Sequence, residues 1–155
     1  MCTILIVEDN DDHRELTRFL LTNAGHTVIE AKNGQEALDW LSSHPSPCAV
    51  LLDLTMPVVD GWDFLNILRR YKRWCDLPVI VLSVGVKEHE PAPVMAAEAY
   101  WSKPLTTERI ERIHEWCPIH RRTPPPLLKQ SGTRLVERPQ DQPRTRASGA
   151  RRRRS

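Results

Sequence analysis

The sequence predicts an α/β fold: a parallel sheet with helices on both faces. Two observations carry this. Short runs of Val, Ile, Leu and Ala recur as far as residue 102, and most are followed by a segment with apolar residues at helical spacing; that alternation is the mark of βαβ units. The runs also lack the apolar–polar alternation of a sheet with one wet face, so they read as strands covered on both sides.

TILIV (3–7) is the first strand, and DHRELTRFLLTNAG (12–25) the first helix, with Leu16, Phe19, Leu20 and Ala24 in helical register and Gly25 at its stop. TVIEA (27–31) is the second strand, and NGQEALDWLSSH (33–44) a helix with Ala37, Leu38 and Leu41 on one face. CAVLLD (48–53) and GWDFLNILRRYKRW (61–74) form the third pair. LPVIVLS (77–83) is the fourth strand. AAEAYWS (96–102) contains a shorter fifth, and TTERIERIHEWC (106–117) is the closing helix. Pro91 and Pro93 preclude an ordinary helix between the last two strands, leaving one to two turns over Val94–Glu98.

The 155 residues suit one domain with some excess. Residues 1–120 form the expected domain. Residues 121–155, rich in Pro and Arg and without periodicity, are expected to be a disordered tail. Charge divides at the same point. The tail holds 11 Lys or Arg against 2 acids, and the body 11 against 18, so only the tail suits a polyanion. Cys2, Cys48, Cys75 and Cys117 are widely spaced, without a C-x-x-C pair, and are expected to be thiols in a reducing compartment. The N-terminus reaches acids too early for a signal peptide, and no apolar run approaches the ~20 residues of a membrane helix. A cytoplasmic location is expected.

In a parallel sheet, chemistry collects beyond the carboxyl ends of the strands. Glu8 and Asp9 end the first strand, Asp53 the third and Ser83 the fourth, while Lys103-Pro104 follow the fifth. Three carboxylates at one edge repel unless a cation lies among them, and hard oxygen ligands of this kind suit Mg²⁺. With a lysine and a hydroxyl nearby, the site suits a phosphoryl group. Asp53, the central carboxylate, can then serve as a nucleophile toward phosphorus. Pro57 and Gly61 shape the loop that turns away from it. Adjacent acids after a strand are also common as helix caps, and His13 reads as a solvated first-turn residue.

ILIVEDN, LLDLTMPVVDG, VIVLS and SKP resemble, in order and spacing, the receiver domain of two-component response regulators, over about residues 2 to 118. The resemblance implies a flavodoxin-like, doubly wound five-stranded sheet of order 2-1-3-4-5. It implies Asp53 as phosphoacceptor, Asp9 as direct Mg²⁺ ligand, Glu8 acting mostly through water, and the Thr55 backbone carbonyl as a further ligand. Ser83 matches the hydroxyl that moves onto the phosphoryl group and Lys103 the lysine that pairs with it. Pro104 matches a residue usually preceded by a cis bond, and Tyr100 the aromatic whose rotamer reports activation.

The implied function is that of a stand-alone receiver, phosphorylated by a histidine kinase or histidine phosphotransferase, signalling to an unidentified downstream protein and catalysing only its own phosphorylation and dephosphorylation. The chain departs from the family pattern in the short proline-containing segment after Ser83, which argues against the usual symmetric dimer, and in Val84, where a smaller alanine is typical. Thr55 and Gly85 provide no carboxylate or amide to align an attacking water, so the phosphoryl group should persist for minutes or longer.

Two rival readings keep the receiver fold. One makes the basic tail a nucleic-acid or anionic-surface binder, although no aromatic is interleaved there for base stacking. The other is a pure interaction module, against which the full set of site residues argues. Phosphatase chemistry of the haloacid-dehalogenase type lacks its D-x-D-x-[TV] start.

Overall fold

The computed structural model describes residues 2–84 and 97–116. The elements, in chain order, are β1 (Thr3–Val7), α1 (Asp11–Asn23), β2 (Thr27–Ala31), α2 (Gly34–Ser43), β3 (Ala49–Leu52), α3 (Gly61–Arg70), β4 (Val79–Ser83), β5 (Ala99–Ser102) and α4 (Thr107–Trp116). The strands form one parallel sheet of order β2-β1-β3-β4-β5, the doubly wound arrangement expected from the sequence.

Composition follows position in the sheet. The central strands β3 and β4 are buried at every residue, and β1 at all but its first, which accounts for their unbroken apolar runs. The edge strand β2 is half exposed and places Glu30 between Arg14 and Arg18 of α1, at 3.3 and 3.5 Å. One face of the sheet packs Leu5, Val7, Val50, Leu52 and Val79 against Ala37 and Leu41 of α2 and Phe64, Leu65 and Leu68 of α3. The other packs Ile4, Ile6, Leu51, Ile80 and Leu82 against Leu21 of α1 and Ile110 and Ile113 of α4.

Side-chain caps set three helix starts. Asn10 accepts from the His13 amide, Asn33 from Glu36 and Asp60 from Asp63. Because the Asn10 side chain is the cap, neither acid caps α1, although Glu8 Oε1 accepts from the Asn10 amide at 3.1 Å. Helix α3 ends at Arg70, four residues before the end expected from periodicity. Residues beyond it turn instead, and Arg69 Nη1 donates to the carbonyls of Cys75 and Leu77 at 3.2 and 2.9 Å. Trp74 lies in that turn and is buried in the core.

Of the short helix expected over Val94–Glu98, Ala97 and Glu98 are not helical and the remainder lies outside the described residues, as do Gly85 and the tail. The cysteine expectation needs correction. Cys48 and Cys75 are free thiols, but Cys2 is disulfide-bonded. Sequence spacing carries no signal for a bridge between residues that only folding brings together. Among the described residues no helix is long and apolar enough to cross a membrane.

The loop from β3 to α3 holds two backbone constraints. A Cβ on Gly61 would stand 2.2 Å from the Asp53 carbonyl oxygen and 2.6 Å from Leu54 Cα, both backbone atoms that cannot step aside. Val58 adopts φ 69°, a left-handed conformation that β-branched side chains resist. Gly61→Ala is therefore expected to cost about 2 kcal/mol in urea unfolding. Val58→Asn, whose side chain tolerates that conformation, should stabilise by about 1 kcal/mol; a stabilised Gly61→Ala or a destabilised Val58→Asn would contradict this account of the loop.

Candidate functional site

The carboxyl edge of the sheet brings the chemistry-bearing residues together as β1, β3, β4 and β5 end. Each strand is held in register almost to the site. The Glu8 amide donates to the Ala31 carbonyl at 3.0 Å, and the Asp53 amide to the Val7 carbonyl at 2.9 Å. Glu8 and Asp53 are buried and Asp9 is exposed. One carboxylate oxygen from each lies within 4.8 Å of the others.

Both Asp53 oxygens are occupied. Oδ1 accepts from the Ser83 hydroxyl at 2.8 Å and from the Thr55 amide at 3.3 Å, while Oδ2 accepts from Lys103 Nζ at 3.1 Å. The lysine also makes a short ion pair with Glu8 Oε2. The peptide bond between Lys103 and Pro104 is cis.

Burial is the main cause that raises the Glu8 carboxyl above its ordinary value of 4.5; the Lys103 hydrogen bond opposes it, and the Asp53 charge adds to it. Lys103 is thus the cation that makes two nearly buried carboxylates tolerable side by side.

The donor set fits Mg²⁺. Three hard carboxylate oxygens converge, and the exposed Asp9 keeps one side open to the waters this ion retains. Thr55 is exposed beside Asp53, in reach of the same edge through its backbone.

Tyr100 stands apart from this cluster. It pairs with Val81 in the register of β5 on β4 and is half-buried. Burial pushes its phenol above the ordinary 10.0, opposed by the positive charge of Arg69 and assisted by the negative charge of Glu98. Trp101, the next residue, points into the opposite core and packs on Trp116, with ring centroids 5.7 Å apart. Pro57 is exposed in the β3–α3 loop, and Val84 is 75% exposed at the rim.

His13 was not legible as a site residue. Its Nδ1 lies 3.4 Å from Lys103 Nζ, a contact across ninety positions that only the fold creates.

These features define a doubly wound α/β domain with an acidic, lysine-bearing pocket at the switch in strand order, the class that holds phosphoryl groups and divalent ions there. The family model described as "Response regulator receiver domain" matches residues 4–115. The polar-differentiation response regulator DivK of Brucella anthropi is 32% identical over 117 residues, covering 74% of this chain and 94% of DivK. The probable methanogenesis regulatory protein FilR2 of Methanothrix harundinacea is 33% identical over 121 residues, covering 72% of this chain and 78% of FilR2. Response regulator TrrA of Thermotoga maritima, whose crystal structure is a complex with Mg(2+)-BeF, superimposes with a TM-score of 0.66 at 29% identity, covering 75% of this chain and 99% of TrrA. The chain belongs to the response regulator receiver family of two-component signalling, whose members are phosphoacceptors rather than conventional enzymes.

The electrostatics yield a signed expectation. A carboxyl whose folded pKa is raised loses stability on ionising, so Glu8 disfavours folding as pH rises from its ordinary value through its raised one. Lys103→Met removes the compensating charge. In urea unfolding without divalent cations, the variant should lose about 3 kcal/mol near neutral pH and much less near pH 4.5. Equal losses at both pH values would mean that the lysine acts through packing only.

Proposed function

We propose that Asp53 is the phosphoacceptor of this receiver. It takes a phosphoryl group from a histidine kinase or histidine phosphotransferase in the cytoplasm, and the charged domain then signals to a downstream protein. The observation that carries this reading is Asp53 itself, a buried carboxylate at a strand end with both oxygens hydrogen-bonded, by Thr55 in its own loop and by Ser83 and Lys103 from two other segments. Its orientation is fixed before any donor arrives, which is the preorganisation a nucleophile needs.

The chemistry is a displacement at phosphorus. An Asp53 oxygen forms the new P–O bond as the bond from phosphorus to the donor's leaving group breaks, and the leaving group departs with the bonding electrons. Mg²⁺, when held by Glu8, Asp9, Asp53 and the backbone carbonyl of Thr55, supplies positive charge against the phosphoryl oxygens; the Mg(2+)-BeF complex of TrrA supports the same ion here. Lys103 carries a donor from Asp53 Oδ2 to a phosphoryl oxygen. Ser83 already donates to Asp53 Oδ1 and exchanges that acceptor for another phosphoryl oxygen.

Tyr100 responds through the sheet, since β5 pairs with the strand that ends in Ser83. Residues 1–120 act as the receiver and residues 121–155 as a basic appendage. Thr55 provides no side-chain carboxylate or amide to direct water, consistent with a phosphoryl group that persists for minutes or longer.

Incubation with Mg²⁺ and acetyl phosphate, followed by intact-mass measurement, tests the assignment. The wild type should gain one phosphoryl group, lost with EDTA present during incubation, and Asp53→Asn should gain none. Equal gain by Asp53→Asn, or no gain by the wild type from acetyl phosphate and from a phosphorylated kinase alike, would overturn it.

A further inference from the structure

An ammonium has three N–H donors and no acceptor. Lys103 directs them at three groups: Glu8 Oε2, Asp53 Oδ2 at 3.1 Å and His13 Nδ1 at 3.4 Å. Since the lysine can only donate, a hydrogen bond between the two has Nδ1 as its acceptor. His13 is itself well placed. Its amide is the group that the Asn10 cap accepts, at 2.9 Å, so the first turn of α1 fixes its backbone. Its ring lines a cavity of about 290 Å³ between α1 and the segment after β5, with Leu16, Val84, Lys103 and Pro104.

We infer that His13 is a positioning residue for Lys103 during phosphoryl transfer; the inference rests on Asp53 being the phosphoacceptor. The donor now given to Asp53 Oδ2 is the one that must turn to the arriving phosphoryl group. The other two fix the rotation of the ammonium about its Cε–Nζ bond, and without His13 only Glu8 does so. The chemistry of the third acceptor also matters. A carboxylate there would add negative charge beside an incoming dianion, whereas an imidazole nitrogen accepts from the ammonium without adding a negative charge. Among the described residues, this makes α1 a contributor to the site through His13 in its first turn.

The test measures the rate of phosphorylation of the full chain by acetyl phosphate with Mg²⁺, read by intact mass, for wild type, His13→Ala and His13→Asn. The asparagine oxygen accepts at nearly the same distance from the backbone as Nδ1. His13→Ala should be slower by about three- to tenfold, one modest hydrogen bond, and His13→Asn should recover most of the rate. Unchanged Mg²⁺ affinity, measured by isothermal titration calorimetry, should accompany the loss.

A second measurement does not depend on phosphorylation: the ¹⁵N shift of His13 Nδ1 should move in Lys103→Met. Wild-type uptake that His13→Ala does not slow, or a loss that asparagine fails to restore, overturns the role of His13 and leaves the phosphoacceptor reading standing. An unmoved Nδ1 shift overturns the contact itself. No uptake by the wild type overturns the phosphoacceptor reading, and with it the role of His13, while the Nδ1 shift still decides the contact.

Discussion

The site depends on one compensation of charge. Glu8 and Asp53 are side by side with little access to water, and in that setting two carboxylates repel strongly. Lys103 binds both. Its reach explains the geometry around it. The lysine comes from the loop after an edge strand, the acids from the ends of central strands, and a parallel sheet delivers all of them to one edge without any being neighbours in sequence.

The remaining structure holds that edge steady. Asn10 rather than Glu8 or Asp9 starts α1, so the two acids face the site. Gly61 lets α3 begin against the backbone of Asp53. At the other end of α3, Arg69 ties the turn before β4 to Glu98, 3.5 Å away, just before β5. The two strands flanking the Ser83–Lys103 half of the site are thereby braced at their far ends.

Much of this was legible in the sequence, for a physical reason. Central parallel strands must be apolar on both faces, so TILIV, AVLL and VIVLS announce themselves, and the residues that break those runs with charge or hydroxyl mark the site edge. Glu8, Asp53, Ser83 and Lys103 were found in that way, and they converge. Features set by tertiary contact were not legible. The early end of α3 reflects carbonyls captured by Arg69, although YKRW continues the helical pattern. The left-handed Val58 contradicts its own side-chain preference, and nothing in MPVVDG signals it. The His13–Lys103 contact joins residues remote in the chain, which no local rule can pair.

The order of the residues along the chain gives the charge compensation a temporal side. A polypeptide emerges from the ribosome N-terminus first, so both acids of the pair are made long before residue 103. A nascent chain that has completed β3 can assemble the central strands only by bringing uncompensated carboxylates together, which opposes their pairing. The last strand and the loop after it remove that opposition. Closure of the sheet and neutralisation of its edge are therefore linked, because the strand that completes the sheet also delivers the lysine.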